Sequence, residues 1–270
     1  MGLLAAGGMV DTRPMAGPPP IFIVGCQRSG TTLVRLILDS HPNISCGPET
    51  RFLRSFEHLT DDAGDWPRLA LYGFDKDYWH RKVAELFSTT MQDYAERRGK
   101  GRWADKTPLY ALHLDYLDAL FPNALVLHVV RDPFDVVASH RSRWGWWSGL
   151  KAVEKWGRYV RSARTAGSRL GPTRYRELRY DRLITDPEAE LRRVTEWLGE
   201  PFDPALLDHE SSPHDVFGGY REFSSARRRS TGTRRGIYNR LGSGQRELDP
   251  VLRLAVALRT RSLRRQLGYD

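Results

Sequence analysis

The stretch that decides the fold is residues 21–39, IFIVGCQRSGTTLVRLILD. Four consecutive apolar residues, Ile21–Val24, end at Gly25, a pattern typical of a strand buried in a parallel sheet. From residue 30 the apolar positions recur at helical spacing, so a glycine-bounded loop joins a strand to a helix. This loop has the glycine spacing of a phosphate-binding loop, G-x-x-x-x-G-K-[ST], with Thr31 at the lysine position.

Such a loop favours an anion, because consecutive backbone N–H groups point inward and the helix N-terminus adds its dipole. Arg28 can supply the missing positive charge through two parallel hydrogen bonds. The absent lysine argues against ordinary ATP or GTP hydrolysis, in which it reaches the β- and γ-phosphates. The competing interpretation is a strand, turn and helix whose glycines are spaced by chance.

A second buried strand is predicted at Leu125–Val130, followed by Arg131-Asp132-Pro133. Because ligands gather at the carboxyl ends of parallel strands, Arg131 is expected to point toward the first loop. Ser139 and Arg143 follow within or just past the next helix, and with Arg131 they could clamp a second phosphate. In the alternative interpretation Arg131 only caps its strand and Arg143 is solvated.

Strands alternate with helices along the rest of the chain. A further strand is predicted at Arg174–Arg179, and helices at Asp75–Arg98, Ala111–Leu120, from Pro133 to His140, Leu150–Ala166, Asp186–Leu198 and Val251–Leu267. This alternation predicts an α/β fold with a central parallel sheet and helices on both faces.

The length of 270 residues and the 28% of charged residues are ordinary for one globular domain. Residues 1–19 are rich in glycine and proline and lack periodicity, so we expect a disordered segment before a domain spanning 20–270. We expect no secretory signal, membrane span or myristoylation site, and two cysteines make no disulfide framework. These features predict a cytoplasmic protein.

The net charge of +9 is confined to one part of the chain. Residues 221–270 hold 13 arginines, no lysine and 4 acids, whereas the first 220 residues are neutral overall. This placement excludes a uniformly basic coat, and it indicates either a basic tail or one anionic site that the later residues complete.

The two motifs together resemble those of sulfotransferases that use 3′-phosphoadenosine 5′-phosphosulfate (PAPS). Arg28–Thr32 resembles the family's 5′-phosphosulfate loop, and residues 130–133 with Ser139 resemble its 3′-phosphate motif. The chain looks most like tyrosylprotein sulfotransferases and their bacterial relatives, with further short matches at 105–108, 180–183 and 230–231. The resemblance implies a P-loop NTPase-like three-layer fold and transfer of a sulfuryl group to a hydroxyl acceptor, leaving adenosine 3′,5′-bisphosphate.

The resemblance also implies roles for individual residues. Glu49 is similar to the family's catalytic base and Lys106 to its transition-state-stabilising lysine, with Arg28 and Ser230 beside the sulfuryl group. Tyr180 matches a residue at the adenine. The implied cofactor-binding set is Arg28, Ser29, Gly30, Thr31, Thr32, Arg131, Ser139, Arg143, Tyr180, Ser230 and Arg240. No metal is required.

The chain also departs from the family pattern. Lumenal relatives pair a cysteine at the Cys46 position with one at the Ala104 position, so that bridge is absent here. The family's late basic residue is not clearly present, and Arg240 and Arg246 are the candidates for it. The acceptor stays open among a peptide tyrosine, a phenol, a carbohydrate and a lipid hydroxyl. A homodimer is a further possibility.

Two features have other interpretations. Trp144, Trp146 and Trp147 could line an acceptor pocket or a lid, or form a hydrophobic loop anchored on the domain. The arginine cluster at 227–235 could instead bind nucleic acid, although no nucleic-acid module accompanies it. The resemblance to the sulfotransferases implies that residues 230–239 close over the cofactor. Adenosine 3′,5′-bisphosphate should therefore protect this segment from proteolysis.

The runner-up activity is that of a nucleotide-dependent kinase on the same fold. Asp132 would then be the carboxylate that holds Mg²⁺. The missing loop lysine counts against this activity.

Overall fold

The computed structural model of the chain describes residues 17–215 and 241–269. Within these residues, five parallel strands form one sheet in the order β2-β3-β1-β4-β5. The strands are β1 (Ile21–Gly25), β2 (Ile44–Cys46), β3 (Arg102–Lys106), β4 (Leu125–Val130) and β5 (Tyr175–Arg179). The chain leaves β1 toward β2 and β3, and then crosses to β4 on the other side of β1. This reversal opens a crevice at the carboxyl ends of the central strands, where ligands bind in such sheets.

Helices connect the strands. They are α1 (Thr31–Asp39), α2 (Leu53–Thr60), α3 (Trp66–Leu69), α4 (Lys76–Arg97), α5 (Leu114–Leu120), α6 (Pro133–Trp144), α7 (Trp146–Leu170), α8 (Tyr180–Thr185), α9 (Pro187–Leu198), α10 (Ser243–Glu247) and α11 (Pro250–Leu267). Short 3₁₀ segments lie at Ala70–Tyr72, Pro108–Leu112, Pro204–Leu206 and His209–Ser211. None of the helices in the described ranges is both long and apolar enough to cross a membrane.

The sheet separates two hydrophobic cores. Ile21 and Ile23 face α1 and α9, whereas Phe22 and Val24 face α4, α5 and α7. This alternation follows from the two-residue period of a strand, and because both faces are covered, β1 is apolar at every position. A third core joins α6 and α7 to α10 and α11. The three-layer α/β prediction is therefore confirmed.

Most of the predicted elements are confirmed within a few residues. The predicted helix at Ala111–Leu120 is wrong in its first part, which belongs to the 3₁₀ segment Pro108–Leu112 that precedes α5. The predicted helix at Leu150–Ala166 is shorter than α7, which runs from Trp146 to Leu170. Neither β2 nor β3 was predicted. Residues 1–16 of the expected N-terminal segment lie outside the described residues.

Cys46 and Ala104 are direct partners across β2 and β3. They are therefore neighbours at the two positions where the resemblance puts a disulfide in lumenal relatives. Cys26 and Cys46 are buried free thiols, and burial raises the pKa of both, to about 12 for Cys26. Both cysteines are neutral core side chains at physiological pH.

Candidate active site

The loop after β1 has the backbone of an anion-binding turn. The Ser29 N–H donates to the Cys26 carbonyl at 3.1 Å, and Arg28, inside this turn, has a positive φ of 73°. Gly30 has φ 99°, and a Cβ there would lie 2.4 Å from the Tyr180 ring. A Cβ on Gly25 would lie 2.5 Å from the Val129 carbonyl oxygen. Both predicted glycines are therefore required by close packing, so their spacing is not chance.

The Arg28 side chain links this loop to the second predicted motif. Its Nε donates to the Ser139 hydroxyl at 2.9 Å, although the two residues are 111 positions apart. Its guanidinium also lies 5.8 Å from the centre of the Trp144 ring. The two motifs predicted from sequence thus meet at one point, above β1 and β4.

Arg131 lies beside the same loop. Its guanidinium stacks on the Tyr180 ring at 4.3 Å and donates to Asp135 Oδ2 at 3.2 Å. A second nitrogen lies 3.5 Å from the Arg28 carbonyl oxygen. Trp156 Nε1 donates to the Arg131 carbonyl at 3.0 Å and so fixes the main chain there. Arg131 is therefore a buried, oriented cation and not a solvated strand cap.

On the other side of the loop, Glu49 and Lys106 form an ion pair. Glu49 Oε1 lies 2.6 Å from Lys106 Nζ, which is also 3.4 Å from the Thr32 hydroxyl. Lys106 is buried and Glu49 is half-buried. Burial acts to raise the pKa of Glu49, but the Lys106 charge and the Arg51 side chain outweigh it and hold the pKa below its usual value. Glu49 is therefore ionised at neutral pH.

A buried hydrogen-bond network that the sequence did not reveal supports this pair. Thr50 Oγ1 donates to Asp105 Oδ2 at 2.7 Å and lies 3.3 Å from the Tyr110 hydroxyl. The Tyr110 oxygen accepts from the Leu53 N–H at 3.2 Å. Burial raises the pKa of Asp105 to about 6. The end of β3 thus holds the loop of Glu49 in place, a contact for which the sequence pattern carried no signal.

The remaining predicted site residues are either exposed on helices or outside the described residues. Arg143 is exposed one helical turn after Ser139 on α6, and Arg246 is exposed on α10. Ser230, Arg240, the 227–235 cluster and the expected cofactor-covering segment lie outside the described residues.

The tryptophans divide between two roles. Trp146 is partly buried in the third core, where its Nε1 donates to Asp249 at 3.0 Å. Trp144 and Trp147 are 53% and 71% exposed. They do not form a loop, because α6 and α7 are separated only by Gly145. Of the three, Trp144 is the one that lies beside Arg28 at this site.

Asp132, the candidate Mg²⁺ ligand of the kinase alternative, caps α6. Its Oδ1 accepts from the Phe134 N–H at 2.7 Å. Burial raises the pKa of Asp132 to about 6. The Asp132 carboxylate thus has a structural role as the N-cap of α6.

The site can hold a large anion. The buried Ser29 hydroxyl has no hydrogen-bond partner within the described part of the chain, and Arg28, Arg131 and Lys106 surround the loop. An unsatisfied buried hydroxyl next to fixed cations suits a phosphate or sulfate oxygen. The fold and these side chains define an α/β protein with a P-loop-like turn whose chemistry suits a nucleotide-like anion at the strand ends.

Comparison with known proteins shows which family of α/β proteins this chain belongs to. Residues 19–204 match the Sulfotransferase family. The chain is 32% identical over 202 residues to protein-tyrosine sulfotransferase A of Caenorhabditis elegans, an alignment covering 71% of this chain and 53% of that protein. It is 28% identical over 253 residues to the nodulation protein NoeE of Sinorhizobium fredii, covering 83% and 58%.

Among solved structures, the sulfotransferase domain of the Synechococcus PCC 7002 olefin synthase superposes with a TM-score of 0.70. The two are 26% identical, and the match covers 95% of this chain and 98% of that domain. The chain belongs to the sulfotransferase family. It spans about half the length of the first curated relatives that it matches.

Proposed function

We propose that the protein transfers the sulfuryl group of PAPS to a hydroxyl acceptor, with Glu49 as the general base. The observation that carries the proposal is the Glu49–Lys106 pair, 2.6 Å apart, beside the anion-binding loop. A carboxylate and a buried ammonium at one strand edge supply a proton acceptor and a fixed positive charge. Bound PAPS would supply the activated sulfuryl group.

Two groups of residues would bind PAPS, the donor of the sulfuryl group. The loop N–H groups, Ser29 and Arg28 would hold the 5′ end of the cofactor, and Arg131 with Ser139 its 3′-phosphate. Arg131 and Tyr180 are stacked 4.3 Å apart, so the adenine would lie near a preformed cationic and aromatic surface. Positioning and charge stabilisation of this kind account for most of the catalysis in phosphoryl transfer, and sulfuryl transfer has similar electrostatics.

On the acceptor side, Glu49 would take the hydroxyl proton. Its pKa is held below the usual value, so Glu49 is an ionised carboxylate at neutral pH, the form that can accept a proton. Lys106 and Arg28 would offset the negative charge that develops on the leaving oxygen. A tyrosine peptide or a phenol is the first acceptor class to test, because the relatives include protein-tyrosine sulfotransferases and Trp144 offers an aromatic wall. Carbohydrate hydroxyls come second, and a kinase activity is not favoured.

The test is transfer of label from PAPS across acceptor pools, with mass detection of a sulfated product. Glu49→Gln and Lys106→Met should each lower kcat by about 10²- to 10⁴-fold while affinity for adenosine 3′,5′-bisphosphate is kept. Glu85→Gln removes an exposed carboxylate of α4 and should have wild-type activity. Unchanged transfer by either site variant, with the cofactor still bound, would show that the catalytic assignment is wrong.

A further inference from the structure

Tyr269, which follows α11, is buried at the carboxyl edge between β4 and β5. Its hydroxyl lies 2.9 Å from Asp181 Oδ1 and 3.3 Å from the Val130 carbonyl oxygen. Val130 directly precedes Arg131, and Asp181 directly follows Tyr180. One hydroxyl therefore contacts the immediate neighbours of Arg131 and Tyr180, two of the residues that we assign to the nucleotide.

Arg179 holds Tyr269 in this position. Its guanidinium stacks on the Tyr269 ring at 4.3 Å and donates to both Asp181 oxygens, at 3.2 and 2.8 Å. It also donates to the Gly268 carbonyl at 3.2 Å. Gly268 has φ 68°, and a Cβ there would lie 3.0 Å from this guanidinium, so glycine lets the chain turn onto Arg179.

The hydroxyl of Tyr269 is a permanent donor. Burial and the Asp181 carboxylate raise the pKa of Tyr269 far above its usual value, so the proton stays on the phenol at physiological pH. The single phenol proton is shared between two acceptors, the Asp181 carboxylate at 2.9 Å and the Val130 carbonyl at 3.3 Å. Across the sheet, Val130 and Arg179 are register partners, so the contacts join two adjacent strand ends.

The main chain at Arg131 is thus held at two successive carbonyls. Trp156 donates to the carbonyl of Arg131 itself, and Tyr269 reaches the preceding one. Of these two donors, Tyr269 is the one that also contacts the segment carrying Tyr180. Because Arg131 stacks on Tyr180, a small shift at either strand end would change the spacing of the pair.

We propose that Tyr269, held by Arg179, is a positioning residue that sets Arg131 against Tyr180 and thereby determines affinity for the nucleotide end of the cofactor. The inference rests on the proposed use of PAPS. Glu49 and Lys106 lie on the opposite side of β1, where β3 ends, so the contacts of Tyr269 act on binding and not on the chemical step.

The test is Tyr269→Phe, which removes one hydroxyl and keeps the ring against Arg179. Its Kd for adenosine 3′,5′-bisphosphate, measured by calorimetry, should rise about fivefold to tenfold, the effect of one lost hydrogen bond. The KM for PAPS should rise similarly with kcat unchanged. Tyr116→Phe is the matched control, because Tyr116 is equally buried and its hydroxyl has no hydrogen-bond partner in the described ranges. This control should bind as the wild type does.

Arg179→Lys is a second variant. It loses the planar guanidinium that stacks on Tyr269 and donates to both Asp181 oxygens, so it should also weaken binding. Wild-type affinity in Tyr269→Phe, or a lower kcat with an unchanged KM, would overturn the positioning role alone. A wild-type protein that fails to bind adenosine 3′,5′-bisphosphate would overturn the proposed function and this inference together.

Discussion

Arg28 carries a conformational cost at the centre of the proposed site. Its φ of 73° lies in the left-handed region, which costs a residue with a Cβ about 1–2 kcal/mol. Arg28→Gly and Arg28→Ala both remove the guanidinium, but only glycine relieves the backbone. We expect the glycine variant to be more stable than the alanine variant by about 1 kcal/mol in urea unfolding, with both inactive. Equal stabilities would show that the turn is not strained.

Asp105 should make stability depend on pH. Its pKa is raised from 3.8 to about 6 by burial, so the folded state binds this proton more tightly than the unfolded chain does. Stability from this group is therefore fully present below pH 4 and is lost as the pH rises through 6, on the order of 3 kcal/mol. Unfolding of the wild type and Asp105→Asn between pH 4 and 8 measures the difference. Parallel stability curves of the two proteins would contradict the raised pKa of Asp105. The pKa of Asp132 is also raised, but Asp132 is present in both proteins, so its contribution cancels in the comparison.

The Asp39 carboxylate, at the end of α1, joins this helix to the end of α4 and to His214. Asp39 accepts from Arg98 at 3.0 Å, from His214 at 2.6 Å and from the Cys46 N–H at 2.8 Å. Burial alone would raise the pKa of Asp39, but these hydrogen bonds hold it well below its usual value. The stability they contribute is present above pH 4 and is lost as the pH falls further.

Asp39→Asn should therefore lower the free energy of unfolding by about 3 kcal/mol or more, because it removes the buried carboxylate charge that pairs with Arg98. Asp62→Asn breaks an exposed pair with Lys76 and should cost less than about 1 kcal/mol. Denaturant unfolding at pH 7 measures both. Similar losses in the two variants would mean that the Asp39 contacts contribute no more to the free energy of unfolding than an exposed ion pair does.

Local sequence patterns indicate some strands of this fold and not others. Apolar runs revealed β1 and β4, and the loop chemistry revealed Arg28, Arg131 and Ser139. The sequence of β3, Arg-Trp-Ala-Asp-Lys, looks polar although all five residues are buried. Its charges are satisfied by distant partners, such as Glu200 with Arg102 and Glu49 with Lys106. Only the tertiary fold brings these partners together, so no local pattern could predict the strand.

For the whole molecule, the cations described at the site do not come from the part of the chain that carries the net charge of +9. The cations that meet at the anion loop, Arg28, Lys106 and Arg131, come from the electrically neutral first 220 residues. Several of the later arginines instead make structural contacts. Arg259 pairs with Glu154, and Arg264 lies on the Phe134 ring and donates to the Tyr269 carbonyl. Among the described residues, placement of single cations by the fold makes the anion site, and the arginines at 221–240 lie outside the described residues.

The cofactor should therefore stabilise the whole domain by an amount that depends on these few residues. Adenosine 3′,5′-bisphosphate at about 100 times its Kd adds about 2.7 kcal/mol, which raises Tm by about 5–10 °C in a domain of this size. AMP, which lacks the 3′-phosphate, should give a smaller shift. Arg131→Ala should reduce the bisphosphate shift to the AMP level, whereas Glu49→Gln should keep it, because the role proposed for Glu49 is to accept the proton of the acceptor. If Arg131→Ala lowered both shifts equally, Arg131 would not be a 3′-phosphate ligand.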